Sequence, residues 1–477
     1  MRRHFGLFLL IAFLALNALL AQAAPTANGI TRVSNNTSGT VSEGWVYGID
    51  ISRDGQYIVL DSEADDLING DTNAERDIFL YMVATGTLER ISEPSSTGEP
   101  NGWSREPSIS ETGLYTAFSS TADNLIAGDT NGLSDIFVYN RTAQTFRMVS
   151  ISSDGTKGNF FSYNPAISAN GRFIAFGSYS TNLALPTPTA FNQWQVYLHD
   201  RNPDKDSVWD EPGQILTIPI SVNNNGELAN NFAGTRGRLA VSDDGMIVAF
   251  VSLANNLVPN DTNGVDDVFV HLRDPDHNNV PDEPGKIETV RISVSTSGAQ
   301  GDLDSYDVQM SADGEWILFN SEATNLVTGD TNGRADAFLH QLSTGITTRV
   351  SVSSNGAQNP GDSYGNDISP SGQYIVFHAN QSTLTNPTCV AILDCVYRYN
   401  RLTGVTELIT FEENGAPSGG HTYQPVISAS GDRIAFLSEN GYLDGNDSNN
   451  VTNAYLWISP VPANLTNHVY IPMVVKN

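Results

Sequence analysis

The sequence predicts an all-β protein that folds as a single seven-bladed β-propeller of four-stranded antiparallel blades. Segments 48–92, 106–150 and 307–351 repeat one pattern position for position, and each copy holds four short apolar runs separated by turn residues. A turn glycine recurs at Gly55, Gly113, Gly171, Gly245, Gly314, Gly372 and Gly431. A period of this size with four strand-like runs is typical of a propeller blade, and the blades must stack because one sheet cannot bury both of its faces.

The copy that starts at Asp307 shows the four predicted strands in order. DVQMS is the first strand, and a tight turn at Gly314 leads into the second, EWILFNS, whose apolar residues alternate. After a polar loop, ADAFLHQ is the third strand, and a turn at Gly345 leads into the fourth, ITTRVSV, which is rich in β-branched residues. The same reading applies to the other copies.

The ends of the chain are predicted to close the ring. Seven third strands can be counted, but a fourth strand with an RVS-like ending follows only the first six, and the missing one stands at residues 30–34. The N-terminal strand would therefore complete the last blade and leave no open sheet edge. In the alternative closure, the run HVYIPMVV of the C-terminal tail supplies the seventh fourth strand.

The N-terminus has the pattern of a secretory signal peptide. Arg2 and Arg3 precede an apolar run from Phe5 to Leu20, which is followed by Ala21-Gln22-Ala23. The predicted organisation is a signal peptide at 1–23, the propeller at 24–459 and a tail at 460–477. No later stretch approaches 18 apolar residues, so we expect a monomer without a membrane span that is secreted or held in the cell envelope.

The charge of the chain disfavours nucleic acid as a partner. The formal net charge is −29, and removing two arginines with the signal peptide gives −29 − 2 = −31. An acidic surface repels phosphate backbones and attracts divalent cations, although it also serves solubility alone.

The repeat also points to a known family. It combines an (I/V)S-x-(D/N)G turn, a second strand ending near AF, a D-x-F third strand and a TG turn. This signature resembles the TolB-like, WD40-like β-propeller repeat over almost the whole mature chain. The resemblance implies the propeller fold but no single function, since such propellers serve as binding platforms, as lids on peptidases and occasionally as enzymes.

The loops between second and third strands carry Asp, Asn and Asp at positions 1, 3 and 7. Oxygen donors at this spacing around a turn suit Ca²⁺, with weak affinity because each loop offers only three side chains. The alternative is that they cap their own turns without metal. The predicted ligands are Asp71, Asn73, Asp77, Asp129, Asn131, Asp135, Asp261, Asn263, Asp267, Asp330, Asn332 and Asp336, with a weaker copy at Asp447, Asn449 and Asn453.

Blades three and four have insertions after their third strands that align without a gap. Their oxygen-bearing residues repeat the i, i+2, i+4 spacing of EF-hand-type loops, but the sharp-turn glycine and the twelfth-position Glu are missing. We predict calcium here too, against the alternative of a plain acidic surface. The ligands would be Asn202, Asp204, Asp206, Asp210 and Glu211, and Asp274, Asp276, Asn278, Asp282 and Glu283.

Cys389 and Cys395 are the only cysteines in the chain. An even pair that closes a short loop in an exported protein predicts a disulfide, with free buried thiols as the alternative.

The sequence gives little support for a catalytic site. No H-x-x-x-H or H-E-x-x-H pattern occurs. The single G-x-S-x-G match, at residues 361–365, lies in a repeat predicted to form only strands and is therefore not the strand-to-helix turn of a nucleophile elbow. His271 and His340 are expected to be hydrogen-bonded at strand ends. The residues before the seven turns would ring one channel mouth without a metal cage: Arg53, Glu111, Ala169, Asp243, Ala312, Pro370 and Ala429. Aromatic residues would frame the other mouth, where they suit stacking on sugars or a peptide or, alternatively, packing between blades: Trp103, Phe160, Phe161, Tyr163, Phe232, Tyr306, Tyr364, His421 and Tyr423.

The predicted function is therefore a secreted, non-catalytic, calcium-stabilised propeller that binds a protein or glycan. An extracellular enzyme, such as a glycan lyase or hydrolase, and a purely structural envelope component are the alternatives.

Overall fold

The computed structural model describes residues 29–94, 98–184, 193–206, 208–389, 393–412, 415–418, 420–439, 443 and 451–460. Within these ranges the chain forms β-strands and no helix, so no described segment could cross a membrane as a long apolar helix. The strands make seven four-stranded antiparallel sheets, which confirms the predicted all-β propeller. The predicted signal peptide and the tail from residue 461 lie outside the described residues.

The strands follow the predicted order in every blade. The first, β1 (Ile30–Arg32), belongs to blade seven. Blades one to three contain β2 (Val46–Ile51), β3 (Tyr57–Ser62), β4 (Asp77–Met82), β5 (Thr87–Arg90), β6 (Ser104–Ile109), β7 (Tyr115–Ser120), β8 (Asp135–Asn140), β9 (Thr145–Met148), β10 (Ser162–Ile167), β11 (Phe173–Ser178), β12 (Gln195–Asp200) and β13 (Leu216–Pro219).

The other blades repeat this arrangement. They contain β14 (Ala240–Val241), β15 (Ile247–Ser252), β16 (Asp267–Leu272), β17 (Glu288–Arg291), β18 (Ser305–Met310), β19 (Trp316–Ser321), β20 (Asp336–Gln341), β21 (Ile346–Arg349), β22 (Ser363–Ile368), β23 (Tyr374–Ala379), β24 (Cys395–Asn400), β25 (Val405–Leu408), β26 (Thr422–Ile427), β27 (Arg433–Ser438) and β28 (Asn453–Ile458).

The N-terminal strand closes the ring. Strand β1 pairs antiparallel with β28, and blade seven has the order β1-β28-β27-β26. Ile30 and Val33 are fully buried, and Ser34 Oγ lies 3.0 Å from Asn453 Oδ1. The N-terminal closure is therefore confirmed, and the alternative closure by the tail is wrong because β1 already occupies the outer edge of β28.

The core lies between neighbouring blades. One buried cluster joins Ile49 and Leu60 of blade one to Val426 and Ala435 of blade seven. Within a blade, aromatic residues of the second and third strands stack, as Phe319 and Phe338 do at 5.8 Å between ring centroids. Each sheet thus buries both faces only because its neighbours cover them.

The recurring turn glycines have two physical reasons. Gly113 has φ +66°, a conformation that residues with a Cβ rarely adopt. A Cβ at Gly113 would also lie 2.5 Å from Cδ2 of Tyr57 in the preceding blade. The same contact between neighbouring blades recurs at Gly245, which meets Phe173. The glycine therefore permits both the turn and the packing of one blade on the next.

Blade four departs from the pattern at its inner strand. Strand β14 has only two residues, and a loop from Gly234 to Arg238 stands where other blades continue the strand. Gly234 and Gly237 have φ values of +81° and +92°. At Gly237 a Cβ would lie 2.5 Å from Cα of Asp307, so this position requires glycine. The loop brings Arg236 and Arg238 to the channel, as described below.

Blade six contains the predicted disulfide between Cys389 and Cys395, whose Cα atoms are 6.2 Å apart. Replacing both cysteines with serine will lower the free energy of unfolding by about 2 kcal/mol, because the closed loop restricts the unfolded chain. Denaturant unfolding of the two proteins measures this difference. An unchanged midpoint and slope would contradict the expected contribution.

Candidate binding channel

The seven inner strands surround an axial channel with a cavity of about 310 Å³. Most inner strands have a bulge at the same position, and the bulge residue is left-handed in four blades: Glu106 (φ 58°), Asn164 (φ 54°), Asp307 (φ 54°) and Gln424 (φ 50°). A left-handed residue other than glycine costs on the order of 1 kcal/mol or more. Four such residues occupy equivalent positions around the channel, and we call them the bulge ring.

The bulge ring links neighbouring blades and lines the channel. Glu106 Oε2 accepts hydrogen bonds from the backbone N–H of Asn164 at 2.8 Å and from Ser119 Oγ at 3.0 Å. Asp307 Oδ1 accepts one from the backbone N–H of Arg238 at 3.1 Å. These bonds hold the side chains at the channel wall in the positions that a ligand would meet.

Two aspartates lie one level deeper. Asp50 accepts the backbone N–H groups of Ile51 at 2.8 Å and of Ile109 in the next blade at 2.9 Å. Asp367 does the same with Ile368 and Ile427, both at 2.8 Å. Burial raises the pKa of both carboxyls, and the charge of Asp50 further raises that of Asp367, which reaches about 7. They therefore fasten adjacent inner strands together and also face the cavity.

Arg238 supplies a cation on the axis. Its charge lowers the pKa values of Asp50, Asp307 and Asp367, although burial outweighs it in each case. Within the part of the chain that the structure describes, its guanidinium makes one hydrogen bond, from Nη1 to the Asn366 carbonyl oxygen at 3.4 Å. Most of its donors are therefore open to the cavity.

An ion pair crosses the turn mouth of the channel. Arg53 Nη1 lies 2.6 Å from Asp243 Oδ2, and because blades one and four stand on opposite sides of the ring, this ion pair spans the axis. Backbone hydrogen bonds also join successive turns, including Ala429 N–H to Arg53 O at 2.8 Å and Asp243 N–H to Ala312 O at 2.9 Å. The residues predicted to ring this mouth are thus joined to one another, and the ion pair across the axis narrows it.

The opposite opening, which we call the aromatic mouth, is formed by the segments that lead into the inner strands. In the described residues, the aromatic side chains with the highest exposure all lie there: Trp45 38%, Tyr47 38%, Phe160 40%, Phe161 39% and Phe232 41%. Others pack on each other, as Tyr163 does with Trp103 and Trp194 at 6.2 and 5.6 Å. Some aromatic side chains at this mouth are therefore exposed for stacking, while others pack between blades. The sequence analysis did not include Trp45, Tyr47 or Trp194 among them.

Arginine occupies most of the loops that were predicted to bind calcium between second and third strands. Arg90 Nη1 of β5 lies 2.9 Å from Asp71 Oδ1 and 3.2 Å from Asp77 Oδ2. Arg291 and Arg349 hold the matching pairs, Asp261 with Asp267 and Asp330 with Asp336. The asparagines Asn73, Asn131, Asn263 and Asn332 each donate to the second aspartate of their loop. This is the arrangement expected without metal, and calcium would have to displace the guanidinium.

Blade two varies this arrangement. Met148 stands at the position of the arginine, and Lys157 Nζ lies 3.6 Å from Asp129 Oδ1. Burial raises the pKa of Asp135 to about 6. The weaker copy in blade seven falls at Asp447 and Asn449, outside the described residues, while its Asn453 accepts a hydrogen bond from Ser34.

The two insertion loops also contain ion pairs. Arg201 binds Asp210 through two hydrogen bonds of 2.8 and 2.6 Å, and Arg273 binds Asp282 in the same way. Asp210 and Asp282 are therefore held by arginine. In blade four, Lys286 Nζ also lies 2.8 Å from Asp276 Oδ2 and 3.3 Å from Glu283 Oε2.

Blade three differs at the equivalent of this lysine. Gln214 stands at that position, and carboxylate oxygens of Asp204, Asp206 and Glu211 lie within 4.8 Å of one another. Asn202 Oδ1, on a residue that is 6% exposed, has no hydrogen-bond partner among the described residues. Within the described residues, none of these three carboxylates forms an ion pair with an arginine or lysine.

The described histidines that end third strands are structural. Nδ1 of His199, His271 and His340 lies 2.8, 2.9 and 2.9 Å from the hydroxyl of Thr217, Thr289 and Thr347 respectively. Burial lowers the pKa of each histidine to about 4. They are neutral at pH 7 and lie away from the channel wall.

Because Asp61 is a buried carboxyl group, we expect the stability of the folded protein to depend on pH. Its carboxyl fills the space beside Gly48 at the channel, is 2% exposed, and pairs with Arg76 Nε at 3.3 Å. Burial raises its pKa to about 7. The folded protein then binds a proton that the unfolded chain has lost between about pH 4 and 7, so stability falls as pH rises through that window.

Replacing Asp61 with asparagine will reduce this loss, because the amide does not ionise. Denaturant unfolding at pH 5 and pH 8 measures it, and Glu288→Gln, at an exposed residue of β17, is the matched control. An equal pH dependence in wild type and Asp61→Asn would contradict the raised pKa.

The chain matches no protein-family model and no curated protein sequence. Solved structures similar to it include a TolB from Agrobacterium tumefaciens, with 14% identity, 81% of this chain and 98% of that chain covered, and a TM-score of 0.38. An oligogalacturonate lyase from Vibrio parahaemolyticus is 13% identical, with 90% and 93% covered and a TM-score of 0.47. An acylaminoacyl peptidase from Pyrococcus horikoshii is 11% identical, with 83% and 49% covered and a TM-score of 0.46. Similarity at this level carries no argument about activity.

The fold itself rests on the strands of this chain. Seven four-stranded blades follow one another around the axis, and β1 completes the last. The fold that the TolB-like repeat implies is therefore the observed one: the protein is a seven-bladed β-propeller closed by its N-terminal strand.

Proposed function

We propose that this propeller is a secreted, non-catalytic binding protein that takes a protein or glycan ligand through the aromatic mouth of its channel. The observation that carries the proposal is the cavity of about 310 Å³, which is narrowed at the turn mouth by Arg53 and Asp243 and lined by Glu106, Asn164 and Gln424 of the bulge ring. Small-ligand sites have this shape, with a concave wall and a few placed polar groups.

The hydrogen bonds of the channel favour binding over catalysis. Asp50 and Asp367 each accept two backbone N–H groups. This structural role is sufficient to explain why aspartate stands at both positions, and no catalytic role is needed. One observation favours an acid–base enzyme as the second candidate: the pKa of Asp367 is raised to about 7, and Asp50 contributes to that rise. Turnover of a glycan that is lost in Asp367→Asn would favour this candidate.

The disulfide supports a location outside the cytoplasm. Disulfides persist in oxidising compartments and are rare in the cytosol of most organisms. The bond between Cys389 and Cys395 agrees with the signal peptide predicted at residues 1–23. Recovery of a processed, oxidised chain from the medium or the cell envelope tests this location.

The proposed function includes a calcium ion bound by the insertion loop of blade three, where the carboxylates of Asp204, Asp206 and Glu211 converge. Calcium at about ten times its dissociation constant or more will stabilise the protein by about 1 to 3 kcal/mol, because only the folded loop binds it. In Gln214→Lys an ammonium would replace the ion, as in blade four, and the calcium effect should vanish.

Melting curves in calcium and in chelator measure this effect. Thr142→Lys, at an exposed turn residue of blade two, is the control for an added lysine. Identical curves for the wild type under both conditions would contradict calcium binding and leave the acidic loop as plain surface.

A cavity-filling variant tests the proposed site. Ala166 lines the cavity, and phenylalanine there would occupy it, whereas Ala84→Phe adds the same side chain at an exposed turn. Ligands found by screening immobilised glycans and peptides should lose binding to Ala166→Phe and keep it to Ala84→Phe. Full binding by a folded Ala166→Phe protein would place the ligand elsewhere and overturn the proposal.

A further inference from the structure

We infer that the channel binds one end of a neutral oligosaccharide, with Arg238 as the residue that sets this specificity. This inference rests on the proposed function and names its ligand class. Three observations carry it: hydrogen-bond donors without a protein partner beside acceptors on the wall, backbone N–H groups of three inner strands that already have partners, and exposed aromatic rings at the aromatic mouth.

The wall presents hydrogen-bond donors next to acceptors. Within the described part of the chain, the side-chain amides of Gln309 and Gln424 have no hydrogen-bond partner, although both line the cavity. The guanidinium of Arg238 has only its long bond to the Asn366 carbonyl. A sugar hydroxyl both donates and accepts, so a polyol can satisfy such a wall where a ligand with donors alone or acceptors alone cannot.

The charge at the axis disfavours an anionic ligand. The cavity and the opening above it are lined by five carboxyl groups and four guanidinium groups, a formal charge of −5 + 4 = −1 when all are ionised: Asp50, Asp61, Glu106, Asp307 and Asp367 against Arg53, Arg76, Arg236 and Arg238. A uronate or phosphate would add to this negative charge, and the whole chain carries −29. A cation would in turn have to approach the guanidinium groups of the wall. An uncharged ligand disturbs this near balance least.

The inner strands offer little to an extended peptide. A peptide that adds to a sheet edge needs free backbone N–H groups. Asp50, Ser108 and Asp367 already accept those of Ile109, Ile167 and Ile427 in the next blades. A ligand that hydrogen-bonds to side chains fits this wall better than one that pairs with backbone.

The aromatic mouth supplies surface for sugars beyond the cavity. Trp45, Tyr47, Phe160, Phe161 and Phe232 are each 38 to 41% exposed. The apolar face of a pyranose ring stacks on such side chains, as other amphipathic groups do. A chain end would thus lie in the cavity while the following units cross the aromatic rim on the side of blades one, three and four.

Arg238 stands at the centre because blade four breaks its inner strand. The glycines of the loop Gly234–Arg238 hold left-handed backbone, and the backbone N–H of Arg238 is fixed by Asp307. Replacing Arg238 with alanine should weaken oligosaccharide binding at least tenfold, and Arg238→Lys should recover it only partly, because lysine lacks the planar donor pair.

The test is calorimetric titration with cellotetraose, maltotetraose, chitotetraose, tetragalacturonate and a tetrapeptide. We expect at least one of the three neutral tetrasaccharides to bind, with loss in Arg238→Ala and Ala166→Phe and no loss in Arg147→Ala, an exposed arginine on β9. Thermal melts of each variant establish that it is folded.

Failure of the inference and failure of the proposed function give different results. Binding of tetragalacturonate or the peptide alone, still blocked by Ala166→Phe, overturns the neutral-glycan inference and leaves the channel as the site. No binding by any neutral tetrasaccharide at millimolar concentration, or equal binding by Arg238→Ala, also overturns the inference. Binding that a folded Ala166→Phe protein retains overturns the channel as the site.

Discussion

Replacing Arg90 with methionine will lower the free energy of unfolding by about 3 to 5 kcal/mol, the cost typical of removing one partner from a buried ion pair. Arg90 Nη1 lies within 3.2 Å of carboxylate oxygens of Asp71, Asp77 and Glu99. The side chains of Arg90, Asp71 and Asp77 are 3%, 2% and 0% exposed. Without the guanidinium, buried carboxyl groups keep no counter-charge.

Denaturant unfolding of the wild type, Arg90→Met and Arg147→Met measures this loss. Arg147 is an exposed residue of β9 that forms none of the ion pairs in the described residues, so its replacement should cost little. In Arg90→Met, millimolar calcium should restore part of the stability, because the carboxylates are vacated. A loss below about 1 kcal/mol would contradict the role assigned to the arginine.

Deleting residues 24–35 will lower the free energy of unfolding by about 3 to 6 kcal/mol and promote association. Ile30 and Val33 are fully buried, and each buried side chain of this kind contributes about 1.5 to 3 kcal/mol. The deletion also uncovers the edge of β28, and an unpaired edge is a template for pairing with another chain.

A relinked chain provides the control. Moving residues 29–35 behind residue 460 through a flexible linker should restore the closure and the stability. Chemical unfolding and size-exclusion chromatography compare the three proteins. A deletion variant that is monomeric and as stable as the wild type would contradict closure by β1.

The propeller fold could be predicted from the sequence because the pattern of one blade recurs in several copies. The turn glycines at Gly113 and Gly245 mark both a left-handed turn and a contact with the previous blade. The missing fourth strand of blade seven was visible as residues 30–34 because its RVS ending has six copies to compare with. Repetition thus replaces the alignment that a single sequence lacks.

The site was less predictable because its contacts join residues that are distant in sequence. Arg90 lies 19 residues after Asp71, and the RVS pattern that contains it was read only as a strand signature. A sequence signal existed, since Arg90, Arg291 and Arg349 accompany the aspartate pairs, while blade two has Met148. The pairing of Arg53 with Asp243, 190 residues apart, needs the closed ring and could not be seen.

The loop of blade four could have been suspected. Its GTRGR segment places two glycines and two arginines where other blades have a Tyr or Arg followed by the bulge residue. Glycine inside a strand pattern often marks a bulge or a close approach of backbone. The consequence for the channel, an arginine with open donors beside Asp307, depends on the neighbouring blade and appears only in the structure.

The measurement that tests the central claim most directly is a crystal structure with the tightest-binding tetrasaccharide of the five-ligand panel. Sugar density is predicted in the axial cavity, with hydroxyls within hydrogen-bond distance of Arg238 and Asp367 and a further ring against Phe161 or Tyr47. Density confined to the outer rim, or to the turn side of the Arg53–Asp243 pair, would contradict a binding channel that opens at the aromatic mouth.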